Sequence, residues 1–120
     1  MKKPLLQFDQ QLSSIPIRNE RVTTTAGDDG QTLIVEVKLQ YPPLVRLLGK
    51  LLKMQDRKRF QLDAVGREVY ESIDGRKSFE ELIDAFAERH KLTFYESRAL
   101  LMQYMEMLMK RGLVVVGIRN

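Results

Sequence analysis

Few side chains in this sequence are of the types that carry covalent or metal chemistry. The 120 residues contain no cysteine and one histidine, His90. The chain therefore lacks a thiol nucleophile and a thiolate metal site, and one histidine cannot build a zinc cluster or a histidine-based triad. His90 falls at the C-terminal end of a predicted helix, where the helix dipole favours a partly positive imidazole, so we assign it a structural role. The sequence predicts a protein that is not an enzyme and needs no cofactor.

Two adjacent carboxylates, Asp28 and Asp29, are the remaining candidates for a metal site. They fall well short of the ligand set of a calcium loop, whereas aspartate and glycine are the residues that a tight turn requires. We therefore interpret this segment as the turn of an antiparallel hairpin whose strands are residues 21–25 and 32–39. One face of the second strand is apolar, and it contains Leu33, Val35, Val37 and Leu39.

Positive charge is concentrated in one short segment, residues 44–59. The whole chain has a net charge of +4, this segment contains six Lys or Arg against one Asp, and residues 60–120 are close to neutral. Leucines at helical spacing predict a short amphipathic helix over residues 44–54, with Leu44, Leu47, Leu48, Leu51 and Leu52 on one face. Such a helix can lie on a membrane surface or bind a partner. We favour an arrangement in which the leucines dock on the domain and the charges face water.

Length and composition predict one domain with a true hydrophobic core, since 43% of the residues are apolar. Residues 1–19 show no sustained period and contain two prolines, which predicts a flexible N-terminal arm before a domain over residues 20–120. The apolar run near the start of the sequence is too short for the core of a signal peptide, and no apolar run is long enough to span a membrane. These features predict a soluble, cytoplasmic protein.

Residues 57–62 predict a third strand, and three helices follow it. Asp63 is the expected N-cap of the first helix. The second and third helices each begin with a capping box, in which a hydroxyl and a glutamate three residues later satisfy each other's backbone N–H groups. These boxes are Ser78 with Glu81 and Thr93 with Glu96.

The third helix, residues 93–111, is apolar over more of its circumference than one neighbour covers. At about 100° per residue its apolar arc spans roughly 240°. Either the helix is central to the domain, or one flank contacts a peptide or a second chain, for which flexible methionines are well suited. We expect self-association, as a two-fold dimer or as a domain swap through the N-terminal hairpin.

Several segments together resemble the PqqD family, the PQQ-biosynthesis protein D group. They are Leu62-Asp63 after the strand, residues 73–78 (IDGRKS), residues 81–83 (ELI) and residues 108–113 (LMKRGL). The resemblance covers residues 58–113 well and the hairpin more loosely. It implies an α+β, winged helix-turn-helix-like fold, with an N-terminal antiparallel hairpin or three-stranded sheet followed by a three-helix bundle. This chain inserts the basic helix before the third strand.

The resemblance also implies a non-enzymatic function. Members of this family hold the leader of a ribosomally made precursor peptide and present it to a modifying enzyme, often a radical-SAM protein. In the family the peptide adds as a strand beside the last N-terminal strand and packs on the third helix. The implied peptide-binding residues are Lys58, Arg59, Phe60, Gln61, Leu62, Arg98, Leu101, Met102, Met105 and Met109.

The residue types agree with this mode of binding. An exposed strand edge supplies main-chain hydrogen bonds, and an apolar helix flank supplies pockets for alternate side chains. The basic residues 57–59 would attract acidic residues of a peptide, mainly by raising the association rate.

A winged-helix DNA-binding protein is the alternative. Its third helix would need Arg, Lys, Asn or Gln on the outer face. The helix offers Arg98, Gln103, Lys110 and Arg111, but Glu96 and Glu106 dilute them. Phosphate contact needs clustered positive charge, which this half of the chain lacks, so we consider nucleic acid the less favoured partner.

Overall fold

Antiparallel strands followed by helices confirm the predicted α+β class. The computed structural model describes residues 8–38, 43–44, 47–48 and 57–118. The helices are α1 (Phe8–Ser13), α2 (Ala64–Ser72), α3 (Phe79–His90) and α4 (Phe94–Lys110). The strands are β1 (Ser14–Arg18), β2 (Val22–Ala26), β3 (Leu33–Lys38), β4 (Arg57–Leu62) and β5 (Val114–Ile118). None of the helices in these ranges is long and apolar enough to cross a membrane.

The chain divides into two units, one of which extends from Glu20 to Arg67. It contains a three-stranded antiparallel sheet in the order β2-β3-β4, in which Val35 lies opposite Thr24 on one side and Phe60 on the other. Leu33, Val35 and Val37 are buried and alternate with more exposed residues. The predicted hairpin and the predicted third strand are thus confirmed. Leu39 lies outside the described residues.

The turn between β2 and β3 is held by Asp29. Its carboxylate accepts hydrogen bonds from the backbone N–H groups of Gln31, at 2.9 Å, and Thr32, at 2.8 Å, and from the Thr32 hydroxyl. The Thr32 hydroxyl, followed by these backbone N–H groups, lowers the pKa of Asp29 from 3.8 to about 2. The carboxylate is therefore used by the turn itself, as the interpretation of this segment as a plain turn requires.

Replacement of Asp29 by alanine is expected to destabilise the hairpin at neutral pH and to matter less in acid. Because the pKa is lowered in the folded state, the ionised carboxylate adds stability above about pH 4, and this is lost as the pH falls toward about 2. Urea unfolding of the wild type and of Asp29→Ala at pH 7 and pH 2.5 measures the difference. The control is Asp28→Ala at the exposed neighbouring position. If the stability difference between the wild type and Asp29→Ala is the same at both pH values, the ionised Asp29 carboxylate is not the source of the stabilisation.

The predicted basic helix lies mostly outside the described residues. Three of its leucines are among the described residues, and all three side chains are exposed: Leu44 at 69%, Leu47 at 64% and Leu48 at 46%. The expectation that the leucines dock on the domain is therefore wrong for these three. The remainder of the predicted helix, residues 45–46 and 49–54, is not among the described residues.

The other unit joins the described residues up to Asn19 with those from Glu68 onward. In it β1 pairs antiparallel with β5, and Pro16 lies buried opposite Val116. Residues 8–18 therefore form a helix and a strand, where the sequence predicts a flexible arm. Pro16 suggests an interruption, but a proline is tolerated in a strand that needs few ladder donors. Residues 1–7 lie outside the described residues.

Helices α3 and α4 pack against each other in this unit. Both predicted capping boxes are present, with the Ser78 and Thr93 side chains accepting from the backbone N–H groups three residues on. The buried residues of the two helices are Phe79, Leu82, Ile83, Phe86, Ser97, Leu101, Met105 and Leu108. Gly112, at a φ of +74°, follows α4, and β5 begins two residues later as the predicted final strand.

Candidate functional site

Strand β4 provides one half of the predicted peptide site. Among the strands that the structure describes, it is the terminal one in the order β2-β3-β4. Lys58, Arg59 and Gln61 are exposed, Phe60 is half-buried, and Leu62 is buried with 1% of its surface exposed. The first four remain candidates for peptide contact, while Leu62 belongs to the core.

Three consecutive basic residues make the start of β4 positive. Arg57 forms an exposed ion pair with Glu36, with 3.4 Å between the guanidinium Nη1 and the carboxylate Oε1. In the register of the sheet, Arg59 lies opposite Glu36 and Lys58 opposite Val37. Exposed ion pairs are weak, and one carboxylate cannot balance three cations. Among the described residues, the start of this strand therefore has a net positive charge.

Helix α4 provides the other half. Leu101 and Met105 are buried, with 1% and 4% of their surfaces exposed, so they belong to the core of their unit. Met102 is half-buried and Met109 is 41% exposed. The accessible apolar flank of this helix is accordingly smaller than the sequence predicts.

Arg98 has a structural contact as well as a half-exposed side chain. Its guanidinium Nη2 lies 3.4 Å from the side-chain oxygen of Gln11 in α1. The family resemblance includes Arg98 among the implied peptide-binding residues. Arg98 also has a structural role, because this contact joins α4 to α1, the N-terminal helix of the same unit.

At about 100° per residue, the circumference of α4 divides into a buried face, two apolar flanks and a narrow polar sector. All five positions of the polar sector, Glu96, Ala99, Gln103, Glu106 and Lys110, are exposed. Tyr95 is 77% exposed, whereas Leu100, Tyr104 and Met107 on the opposite flank are half-buried. The apolar surface left to water is centred on Tyr95 and Met109. Self-association through this helix stays a prediction, which sedimentation at micromolar concentration would test.

His90 is engaged in the structural contacts expected of it. Its Nε2 lies 2.6 Å from a carboxylate oxygen of Glu68, and its ring lies 4.3 Å from that of Phe86. Arg89 contacts the same carboxylate at 3.6 Å. These contacts tie the end of α3 to α2. Glu68 carries no signal in the sequence that distinguishes it from other helical glutamates.

Ser97 is a buried polar residue that the sequence pattern does not reveal. It is fully buried, and its hydroxyl donates a hydrogen bond of 2.8 Å to the backbone carbonyl of Ile83. The bond joins α4 to α3, which fixes the rotation of α4 about its axis. That rotation decides which of its methionines face outward.

The two halves of the predicted site belong to different units. Residues 58–62 are in the unit from Glu20 to Arg67, and residues 98–109 are in the unit that includes Glu68 and the residues after it.

Comparison with known proteins identifies one family. The model described as "Coenzyme PQQ synthesis protein D (PqqD)" matches residues 51–114, which is more than half of the chain. The match starts shortly before β4 and ends at the first residue of β5, and so includes both predicted halves of the site. No curated protein and no solved structure matches the chain.

Proposed function

The chain belongs to the PqqD family, and we propose that it is a non-enzymatic adaptor for a ribosomally made precursor peptide. It holds the leader of that peptide and presents it to a modifying enzyme of the radical-SAM type. The observation that carries the proposal is the exposed, basic strand β4 at the end of its sheet. An adaptor of this kind needs a peptide-binding surface and a surface for the enzyme, and no catalytic group.

Strand addition is the mode of binding that β4 favours. An extended peptide gains main-chain hydrogen bonds from a terminal strand, and its alternate side chains contact the two faces of the sheet. The exposed side chains of Lys58 and Arg59 lie on opposite faces of β4, because neighbouring residues of a strand alternate. A peptide with acidic residues at successive positions would thus meet a cation on each face.

The flank of α4 supplies the apolar part of the proposed interaction. Met102 is half-buried and Met109 is partly exposed, so both retain apolar surface that a partner side chain can cover. Methionine adapts its shape to different partners because its side chain is unbranched and flexible. This contact would select apolar residues of the leader.

Calorimetry with a synthetic leader peptide tests the proposal. The peptide is the leader encoded nearest to the gene, and a scrambled peptide of the same composition is the control. Amide hydrogen exchange of the complex is measured in parallel, and we expect slower exchange within residues 57–62, since an added strand protects amides of the strand beside it.

Two results would contradict the proposal. Equal heats of binding for the leader and the scrambled peptide would exclude sequence-specific binding of the leader. Absence of peptide binding together with a salt-sensitive shift of duplex DNA would support the DNA-binding alternative, because phosphate contacts weaken steeply as salt rises.

A further inference from the structure

Strand β5 has one edge that pairs with no other strand in the part of the chain that the structure describes. Its sheet has the order β1-β5, so β1 occupies only one side of it. The backbone N–H of Asn19 donates to the carbonyl of Leu113 at 2.9 Å, in the register of this ladder. Hydrogen-bonded and non-hydrogen-bonded pairs alternate from there, so every second residue of β5 directs its N–H and C=O away from β1. These residues are Val114, Val116 and Ile118.

The opposite edge of the sheet is blocked, whereas the edge at β5 is not. Pro16 in β1 lies opposite Val116, so its nitrogen faces the outer edge of β1, where it has no N–H to donate. Proline and charged residues are common means by which proteins prevent the pairing of sheet edges. Strand β5, with the sequence VVVGI, contains neither. Extension of this sheet is therefore favoured through β5 and opposed through β1.

Apolar side chains lie exposed beside the edge of β5. Val115 is 54% exposed, and Ile17, which lies opposite it on β1, is 41% exposed. Gly117 lies on the same face as Val115, because residues two apart in a strand share a face. A strand added at β5 would cover part of this apolar face as well as bond to the main chain.

We propose that β5 pairs antiparallel with β5 of a second copy of this chain, which joins the two sheets in the order β1-β5-β5-β1. A two-fold axis at Val116 places this residue opposite Val116 of the second copy and aligns the outward-facing main-chain groups of both strands. In that register Val115 lies opposite Gly117 of the second copy, where the missing side chain leaves room for a branched one. The assembly closes as a dimer, because both of its outer edges are β1 strands that contain Pro16.

The lack of charge in β5 favours a second copy over other partners. An uncharged strand meets its own copy without repulsion, whereas like charges directly opposite each other destabilise a strand pair. The basic start of β4 would meet such repulsion, since it contains three consecutive cations. An acidic leader peptide finds no cation within β5. This pairing is therefore separate from the proposed peptide site and does not depend on the adaptor function.

Amide hydrogen exchange at several protein concentrations tests the inference on the unaltered chain, with sedimentation giving the fraction of dimer at each concentration. The amides of Val116 and Ile118 point away from β1 and would be bonded by the second copy. Their exchange is expected to slow by about tenfold where nine copies in ten are dimeric, because exchange then proceeds from the remaining monomer. The amides of Val115 and Gly117 already donate to β1, so we expect a smaller change for them.

A matched pair of variants tests the same edge. Val116→Pro removes an outward donor and leaves the bonds to β1 in place, so the protein is expected to stay monomeric at concentrations at which the wild type is dimeric. The control, Val116→Thr, keeps the N–H and the branched side chain and should dimerise as the wild type does. Circular dichroism shows whether each variant is folded. Val116→Pro should bind the leader peptide with unchanged affinity, so failure of this inference is distinguishable from failure of the adaptor function.

Four outcomes would overturn the inference. The first is a wild type that stays monomeric up to millimolar concentration, and the second is a folded Val116→Pro protein that dimerises as the wild type does. The third is a dimer in which exchange slows equally at all amides of β5. The fourth is a dimer that is lost in Tyr95→Gln, which changes an exposed residue of α4, and kept in Val116→Pro, since the interface would then belong to that helix. If Val116→Pro does not fold, the exchange pattern of the wild type decides.

Discussion

The Met102→Glu protein is expected to bind the leader peptide about tenfold to a hundredfold more weakly than the wild type. Met102 is half-buried on α4, so a glutamate at this position keeps its charge in water while the peptide is absent. Covering the position with an apolar peptide side chain then costs the desolvation of that carboxylate. A loss of about 1.4 kcal/mol in binding free energy corresponds to tenfold in the dissociation constant.

Met107 provides a matched control on the same helix. It is also half-buried, and it lies on the other flank of α4, about 140° away at 100° per residue. Met107→Glu should therefore disturb folding to a similar degree while leaving peptide affinity unchanged. Calorimetry on both proteins, each shown by circular dichroism to be folded, makes the comparison. If the two variants lose the same amount of peptide affinity, or if neither loses any, the peptide does not bind on the Met102 flank.

Local patterns in the sequence were sufficient to predict most of the secondary structure. The alternation of Leu33, Val35 and Val37 predicts β3 because one face of that strand is buried. The capping residues Ser78 and Thr93 define the starts of α3 and α4, since their hydroxyls accept from backbone N–H groups that have no helical partner. These signals depend only on residues a few positions apart.

Features that depend on distant residues could not be predicted in the same way. Pro16 suggests an interruption because nothing nearby in the sequence shows that β5, about 100 residues later, pairs with its strand. The apolar residues of α4 divide into core and flank only through contacts such as the bond from Ser97 to Ile83. Sequence periodicity therefore identifies Met105 and Met102 as apolar alike, although 4% of Met105 is exposed and Met102 is half-buried.

The family resemblance and the residue pattern contributed different parts of the site. Periodicity predicts a strand at 57–62 and an apolar helix after residue 93, but neither pattern indicates that these elements bind a peptide. The resemblance implies that role, and the match over residues 51–114 confirms the family. The burial of Leu62 and Leu101 then reduces the proposed contact set to residues that a peptide can reach.

Neutralising Lys58 and Arg59 is expected to slow association with an acidic leader peptide by about tenfold at low salt, with a smaller change in dissociation. Both side chains are exposed, so they act on the approaching peptide through the field of the strand more than through buried contacts. Glutamine is the replacement of choice because a glutamate at position 59 would face Glu36 across the sheet. Stopped-flow kinetics at several salt concentrations measure both rate constants.

The control for this last experiment is Arg76→Gln/Lys77→Gln. It lowers the net charge from +4 to +2, as Lys58→Gln/Arg59→Gln does, and it changes exposed residues in the turn before α3. The backbone N–H groups of Arg76 and Lys77, which donate to Asp74 at 2.9 Å, are preserved in the variant. If association depends on the field at β4, the control binds nearly as fast as the wild type and retains its salt dependence. Equal slowing by both pairs would show that overall charge, rather than β4, attracts the peptide.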